Sequence, residues 1–176
     1  MTAKPVPVPD ASAAPVIAPP PVGSRAEFAT ALLWALQTSA AGAARRIVWV
    51  DRDFADWPLN EPALHSALTA WLRQPQRRLV LLAADYSGVP RRQPRFVAWR
   101  RVWSHAVEAW SPADGDSIEL PTLAFDDGAV GLQLIDAQRG RGRAVVDAHA
   151  TRLWRDQIDA VLQRSQAAFP VSALGL

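Results

Sequence analysis

Leu120–Ile135 reads LPTLAFDDGAVGLQLI, and its reading decides the fold. Two apolar, alternating runs flank Asp126-Asp127-Gly128. Alternation at a period of two marks a strand, and Asp-Gly tolerates the positive φ of a tight turn, so the stretch predicts an antiparallel hairpin. Pro121 places the first arm at a sheet edge or in a bulge, because proline donates no ladder hydrogen bond.

Upstream lie two continuous apolar runs, Ile47-Val48-Trp49-Val50-Asp51 and Leu79–Ala84, each preceded by an arginine pair. They are too short for helices, and they do not alternate as one-sided strands do. They read as strands buried on both faces. Between them, Asn60 is a plausible N-cap and Pro62 suits a first helical turn. Leu64, Leu68, Trp71 and Leu72 then form one apolar stripe that ends at Gln74-Pro75. Two strands joined by one such helix make a parallel, right-handed βαβ unit.

The remaining segments extend this frame. Ser24 and Glu27 have capping-box spacing ahead of Phe28, Leu32, Ala35 and Leu36, and Gly42 stops that helix. Tyr86–Gln93 reads as a Gly/Pro/Arg loop. Pro94 opens a helix carrying Phe96, Trp99 and Trp103, followed by a short strand at Ala106–Trp110 and a polar turn at Ser111–Asp116. The hairpin arms are expected at Ile118–Phe125 and Val130–Ile135. Arg139–Arg143 reads as a flexible basic loop. Asp147 caps a last helix with Leu153, Trp154, Ile158, Val161 and Leu162 inward, and with Arg152/Asp156 and Arg155/Asp159 pairs outside. The order predicts an α/β three-layer sandwich around a mixed sheet, with the parallel βαβ part first and the antiparallel hairpin towards the C-terminus. Residues 24–176 form one domain in this reading. Residues 1–23, with seven prolines, form a disordered tail, and Phe169 to Leu176 is an apolar end expected to dock.

Composition narrows the chemistry. The chain has no cysteine, so disulfides and thiolate catalysis are excluded, and its three histidines are scattered. No apolar run reaches the ~20 residues of a membrane span. No basic segment leading into an apolar run opens the chain, so a cytoplasmic location is expected. Net charge is +2 although the pI is about 9.9, because the cations are arginines apart from Lys4.

The order and spacing of the apolar strands over residues 45–166 resemble one half of the phospholipase D superfamily, and uncharacterised bacterial domains of that type. The segments that carry the resemblance are IVWVD at Ile47–Asp51, LVLLAAD at Leu79–Asp85 and LAFDDGAVGLQL at Leu123–Leu134. The resemblance implies a catalytic His-x-Lys-x4-Asp signature in the last of these, with a histidine nucleophile and a phosphate-holding lysine. Here that signature is absent. With Asp126 as its aspartate, the other positions hold Glu119 and Pro121. With Asp127, they hold Leu120 and Thr122. The family's catalysis is therefore not carried over, and no catalytic residue is assigned.

Charge is segregated along the chain. Between Arg73 and Arg101 stand eight arginines (73, 77, 78, 91, 92, 95, 100 and 101) and one acid, Asp85. Between His105 and Asp136 stand seven acids and no arginine. Arg91, Arg92, Arg95, Arg100, Arg101 and His105 are candidate anion contacts, since they follow a strand's carboxyl end, where open α/β sheets bind ligands. The plainer expectation is that neighbouring strands neutralise one another through ion pairs. Asp51, Asp53 and Asp85, beyond two adjacent strand ends, are weaker candidates for a divalent cation. No cofactor is expected.

Three functional expectations follow. The first is a non-catalytic binding or scaffolding module that forms a homodimer, with Trp57, Trp103 and Trp110 available to an interface. The second is a phosphoanion-binding or phosphoryl-processing domain built on the arginine cluster. The third, nucleic-acid binding through Arg139, Arg141 and Arg143 with Trp99 or Trp103 stacking bases, is weakest. The near-neutral charge counts against nucleic acid as a partner.

Overall fold

The computed structural model describes residues 18–113 and 119–170. Helix α1 spans Arg25–Ala41, and strand β1 spans Arg46–Asp51. Helix α2 (Pro62–Leu72) leads to β2 (Arg78–Ala83). A short helix α3 (Val89–Arg92) and helix α4 (Pro94–Val102) lead to β3 (Val107–Pro112). Strands β4 (Thr122–Asp126), β5 (Val130–Asp136) and β6 (Arg141–Val146) follow, then helix α5 (Ala148–Leu162) and strand β7 (Ser165–Ala167).

The seven strands form one mixed sheet in the order β6-β5-β4-β1-β2-β3-β7. β1, β2 and β3 are parallel, with Ile47 opposite Leu79 and Leu79 opposite Val107. The hairpin β4–β5 joins antiparallel to β1, pairing Trp49 with Ala124. Alternate side chains of the central strands enter separate cores. Ile47, Trp49, Leu79, Leu81, Val107 and Ala124 pack with Phe28, Leu32, Leu68, Trp71 and Phe96 from α1, α2 and α4. Val48, Val50, Val80, Leu82, Leu123 and Phe125 pack with Trp154, Ile158 and Val161 from α5. Burial on both faces is why β1 and β2 are continuously apolar.

Several local expectations need correction. Among the described glycines only Gly140 has positive φ, so the hairpin does not turn on a left-handed Gly128. The Asp126 carboxylate holds the turn instead, accepting from the N–H groups of Gly128 at 2.9 Å and Val130 at 3.0 Å. Pro121 precedes β4, and that strand lies inside the sheet. The basic loop is a turn leading into edge strand β6, where Arg139 pairs with Asp136 and Arg143 donates to Gln133. Leu153 points outward at 56% exposure. On α5, Asp159 binds Arg46 at 2.8 Å, and Arg155 donates to the Asp126 carbonyl. Cross-sheet ties thus replace the expected i,i+4 pairs.

Trp57, one of three tryptophans read as available to an interface, is core: its ring lies 5.0–5.5 Å from those of Phe54, Trp49 and Phe28. Most of the expected tail, residues 1–17, lies outside the described residues, as do residues 114–118 of the expected polar turn and 171–176 of the apolar end. Val22 is buried, and its carbonyl accepts from Gly142 N at 2.9 Å. Among the described residues, no helix is long and apolar enough to cross a membrane.

Candidate anion-binding site

The carboxyl ends of β1 and β2 open onto the loops that carry most of the candidate residues. Their local order starts with Asn60. It does not cap α2, whose N-cap is Glu61. Its Oδ1 accepts from Arg95 N at 3.0 Å and Phe96 N at 3.3 Å, and its Nδ2 donates to the Arg92 carbonyl at 3.0 Å. Pro94 opens α4 without an N–H, so Asn60 satisfies the next two orphan donors from another part of the chain. Gln93, the residue in the N-cap position, sends its side chain to the Trp57 carbonyl at 2.8 Å. One asparagine thereby fixes the α3–α4 junction and the backbone that carries Arg91, Arg92 and Arg95.

These three arginines are exposed, as is Arg101. Among the described residues, ion pairs neutralise little of the basic stretch, against the plainer expectation. Of its eight arginines, Arg78 pairs with Glu108, and Arg92 reaches Asp53 at 3.9 Å. The other six have no carboxylate within ion-pair distance among the described residues.

The three aspartates proposed for a cation are spent on backbone geometry. Asp51 accepts from Asp53 N, Phe54 N and the Thr122 hydroxyl, the last at 2.6 Å. Asp53 accepts from Ala55 N at 2.9 Å. Asp85 accepts from the Ser87 N–H and hydroxyl at 2.7 and 2.8 Å, bonds that hold its pKa below the ordinary carboxylate value. Among the described residues no three acidic or histidine side chains form a metal-holding group. Turn formation accounts for all three positions.

The hairpin positions are equally structural. Glu119 is exposed, Leu120 is buried, Pro121 is half-buried, and Thr122 donates to Asp51. Asp127 accepts the Arg45 N–H. Asp126 is 4% exposed, and burial raises its pKa against hydrogen bonds from Ser39, Val130 and Gly128.

Arg100 and Arg101 part company with the exposed cluster. They line a cavity of about 390 Å³ with Tyr86, Ser87, Pro90, Val97, Phe169 and Pro170. Arg100 is 6% exposed. Its Nη1 donates to the Phe169 carbonyl at 2.6 Å, and its guanidinium sits 4.6 Å above the Phe169 ring. That ring stacks on Tyr86 at 5.1 Å with a 5° interplanar angle. Burial lowers the Arg100 pKa, and burial raises that of Tyr86, whose hydroxyl donates to the Trp110 carbonyl at 3.1 Å. His105 is exposed and outside this lining, with its ring 5.8 Å from Trp103. Trp99 is half-buried, stacks on His65 and Phe96, and donates its indole N–H to Thr69.

Tyr86 and Phe169 are the site residues that sequence reasoning missed. Tyr86 carried a signal, being the chain's single tyrosine directly after a parallel strand. Phe169 carried none, since its partners lie about seventy positions away.

No protein-family model matches the chain, and no curated protein does. Among solved structures, the fold is similar to that of TrmBL2, an archaeal chromatin protein whose structure shows a novel mode of DNA binding. The TM-score is 0.59 at 12% identity, over 90% of this chain and 56% of that one. The chain therefore spans little more than half of that protein's length, and the likeness is one of fold. Phosphatidylserine synthase of Haemophilus influenzae superposes with a TM-score of 0.48 at 13% identity, over 84% of this chain and 38% of that one. The chromatin-protein match corrects two expectations, that the domain is first of all a self-associating scaffold and that nucleic acid is a poor partner for it. The low net charge behind the second is an average over arginines and carboxylates, few of which form ion pairs with one another among the described residues.

Proposed function

We propose that this chain is a nucleic-acid-binding domain that holds DNA phosphates on the exposed arginines of α3 and α4. The carrying observation is the set Arg91, Arg95 and Arg101, exposed and without carboxylate partners among the described residues. Arginine forks suit phosphate oxygens, and backbone neutralisation supplies most sequence-independent affinity for DNA. The fold shared with an archaeal chromatin protein whose structure shows DNA binding supports the same reading. We further read the domain as a phospholipase D-like three-layer sandwich. Its parallel strands followed by a hairpin, and helices packed against both sheet faces, support that reading.

The test is fluorescence anisotropy with a labelled duplex over a range of salt. Three phosphate contacts give a log–log slope of about −3. The triple variant Arg91→Ala, Arg95→Ala, Arg101→Ala weakens binding on every sequence and flattens that slope by about 3. Salt-independent binding, or a triple variant that binds like the parent, sinks the proposal.

A further inference from the structure

Arg100 is a different kind of arginine from those on the surface. It carries a permanent charge, is 6% exposed, and faces no carboxylate among the described residues. A buried charge without a counter-ion is costly unless something completes its hydrogen bonds. Tyr86 does not supply the missing charge, because burial keeps its phenol protonated. Nη1 is used on the Phe169 carbonyl. Nε is sealed without a partner. Nη2 has no hydrogen-bond partner among the described residues and is not sealed.

The guanidinium is also held in place. It rests on Phe169, which rests on Tyr86. Phe169 takes φ +50°, a left-handed conformation that a bulky side chain adopts only when its surroundings impose it. That strain delivers both its carbonyl and its ring to Arg100. Tethering the C-terminal segment needs only Nη1, so a purely structural role leaves the rest of the guanidinium unexplained.

The space beside it has the dimensions of a small-molecule site. About 390 Å³ lies within the usual range of about 300–1,000 Å³ for ligand pockets. Pro90, Val97, Phe169 and Pro170 give apolar walls, and Arg101 stands at the exposed margin as a second cation. Asp85, which directly precedes Tyr86, does not line the cavity and is engaged by Ser87.

We propose that this cavity binds a nucleoside monophosphate, with Arg100 and Arg101 on the phosphate and the apolar walls against the nucleoside. Of the arginines assigned to DNA, Arg101 also lines this cavity while Arg91 and Arg95 do not, and the inference does not depend on the DNA-binding reading. The ligand is either a free nucleotide or the phosphorylated terminal nucleotide of a strand, since both present the same group.

Thermal shift and calorimetry on the full chain test it with AMP, adenosine and inorganic phosphate as probes. AMP raises the melting temperature, phosphate alone does so less, and adenosine has no effect. Arg100→Gln loses at least about tenfold in AMP affinity, the scale of one charge-assisted contact. Because that variant alters a buried group, Val97→Phe serves as the second arm. It fills the cavity without touching a charge, abolishes the AMP response and leaves duplex binding intact. A 5′-phosphorylated strand that displaces AMP assigns the site to strand ends, and failure to displace it assigns the site to free nucleotide. No AMP response in the parent chain, or an undiminished one in folded Val97→Phe, overturns the proposal. Duplex binding without an AMP response fails this inference alone. An AMP response without salt-dependent duplex binding fails the DNA-binding reading alone.

Discussion

Asn60 does more than its exposure suggests. Its amide caps a helix to which it is not attached, closing two donors of α4 and one acceptor of α3. Asn60→Ala should cost about 1 kcal/mol, the usual size of a lost N-cap. Asn60→Asp keeps the acceptor and should cost less. Urea denaturation of the two variants checks the order. Asp126 gives a second residue-scale prediction. Its folded pKa lies above the unfolded value because burial disfavours the anion. The folded state therefore holds its proton more tightly, and stability declines as pH rises from the ordinary carboxylate value through the folded pKa. Asp126→Asn still accepts from Gly128 and Val130 but does not titrate. The stability difference between variant and parent should thus shift in the variant's favour across that window. A difference that stays flat with pH contradicts the assignment.

At the scale of elements, α5 is held to the sheet by close contact. A Cβ on Gly131 of β5 would run into the Trp154 ring of α5 and approach Thr151 Cγ2 at 3.2 Å. Trp154 cannot retreat easily, since it packs against Phe125 and under Arg143. Gly131→Ala should destabilise by about 1–3 kcal/mol, as overpacking of a filled core does. Adding Trp154→Leu opens the space, so the double variant should be less unstable than the sum of the single changes. Additive costs would show that the two positions do not meet. On the other sheet face, α4 carries a stripe in which Arg95, Ala98 and Val102 are exposed while Phe96 and Arg100 are buried. Helical periodicity is what separates the neighbouring arginines: Arg100 is buried in the cavity wall and Arg101 is exposed at its margin.

Over the whole molecule, cations outnumber carboxylates by only two, yet among the described residues the ion pairs are few, and most involve exposed side chains. Such pairs stabilise little. The exposed arginines of α3 and α4 that lack carboxylate partners among the described residues repel one another across solvent, and salt screens that repulsion. Melting temperature should therefore rise between about 50 and about 500 mM NaCl. The triple variant at Arg91, Arg95 and Arg101 should show a smaller rise and a higher melting temperature at low salt. Equal salt responses would mean that these arginines are not under mutual strain.

Much of the architecture was legible because local chemistry decides it. Continuous apolar runs could only be β1 and β2, and Ser24, Asp147 and Pro62 mark helix starts by what their side chains or rings can do. The mixed sheet, its parallel strands and the β4–β5 hairpin follow from those runs. Strands β6 and β7 were not legible, since an edge strand with one neighbour needs little apolar pattern. The turn at Gly128 was misread because the Asp126 carboxylate, not glycine's φ, closes it. The candidate anion contacts were visible as a charge run, but composition cannot say which arginines find carboxylates. That depends on register and on which helix face turns inward. The Arg100 cavity belongs wholly to tertiary structure: Tyr86, Arg100 and Phe169 are far apart in the chain, and only the closing of the sheet around β3 and β7 brings them together.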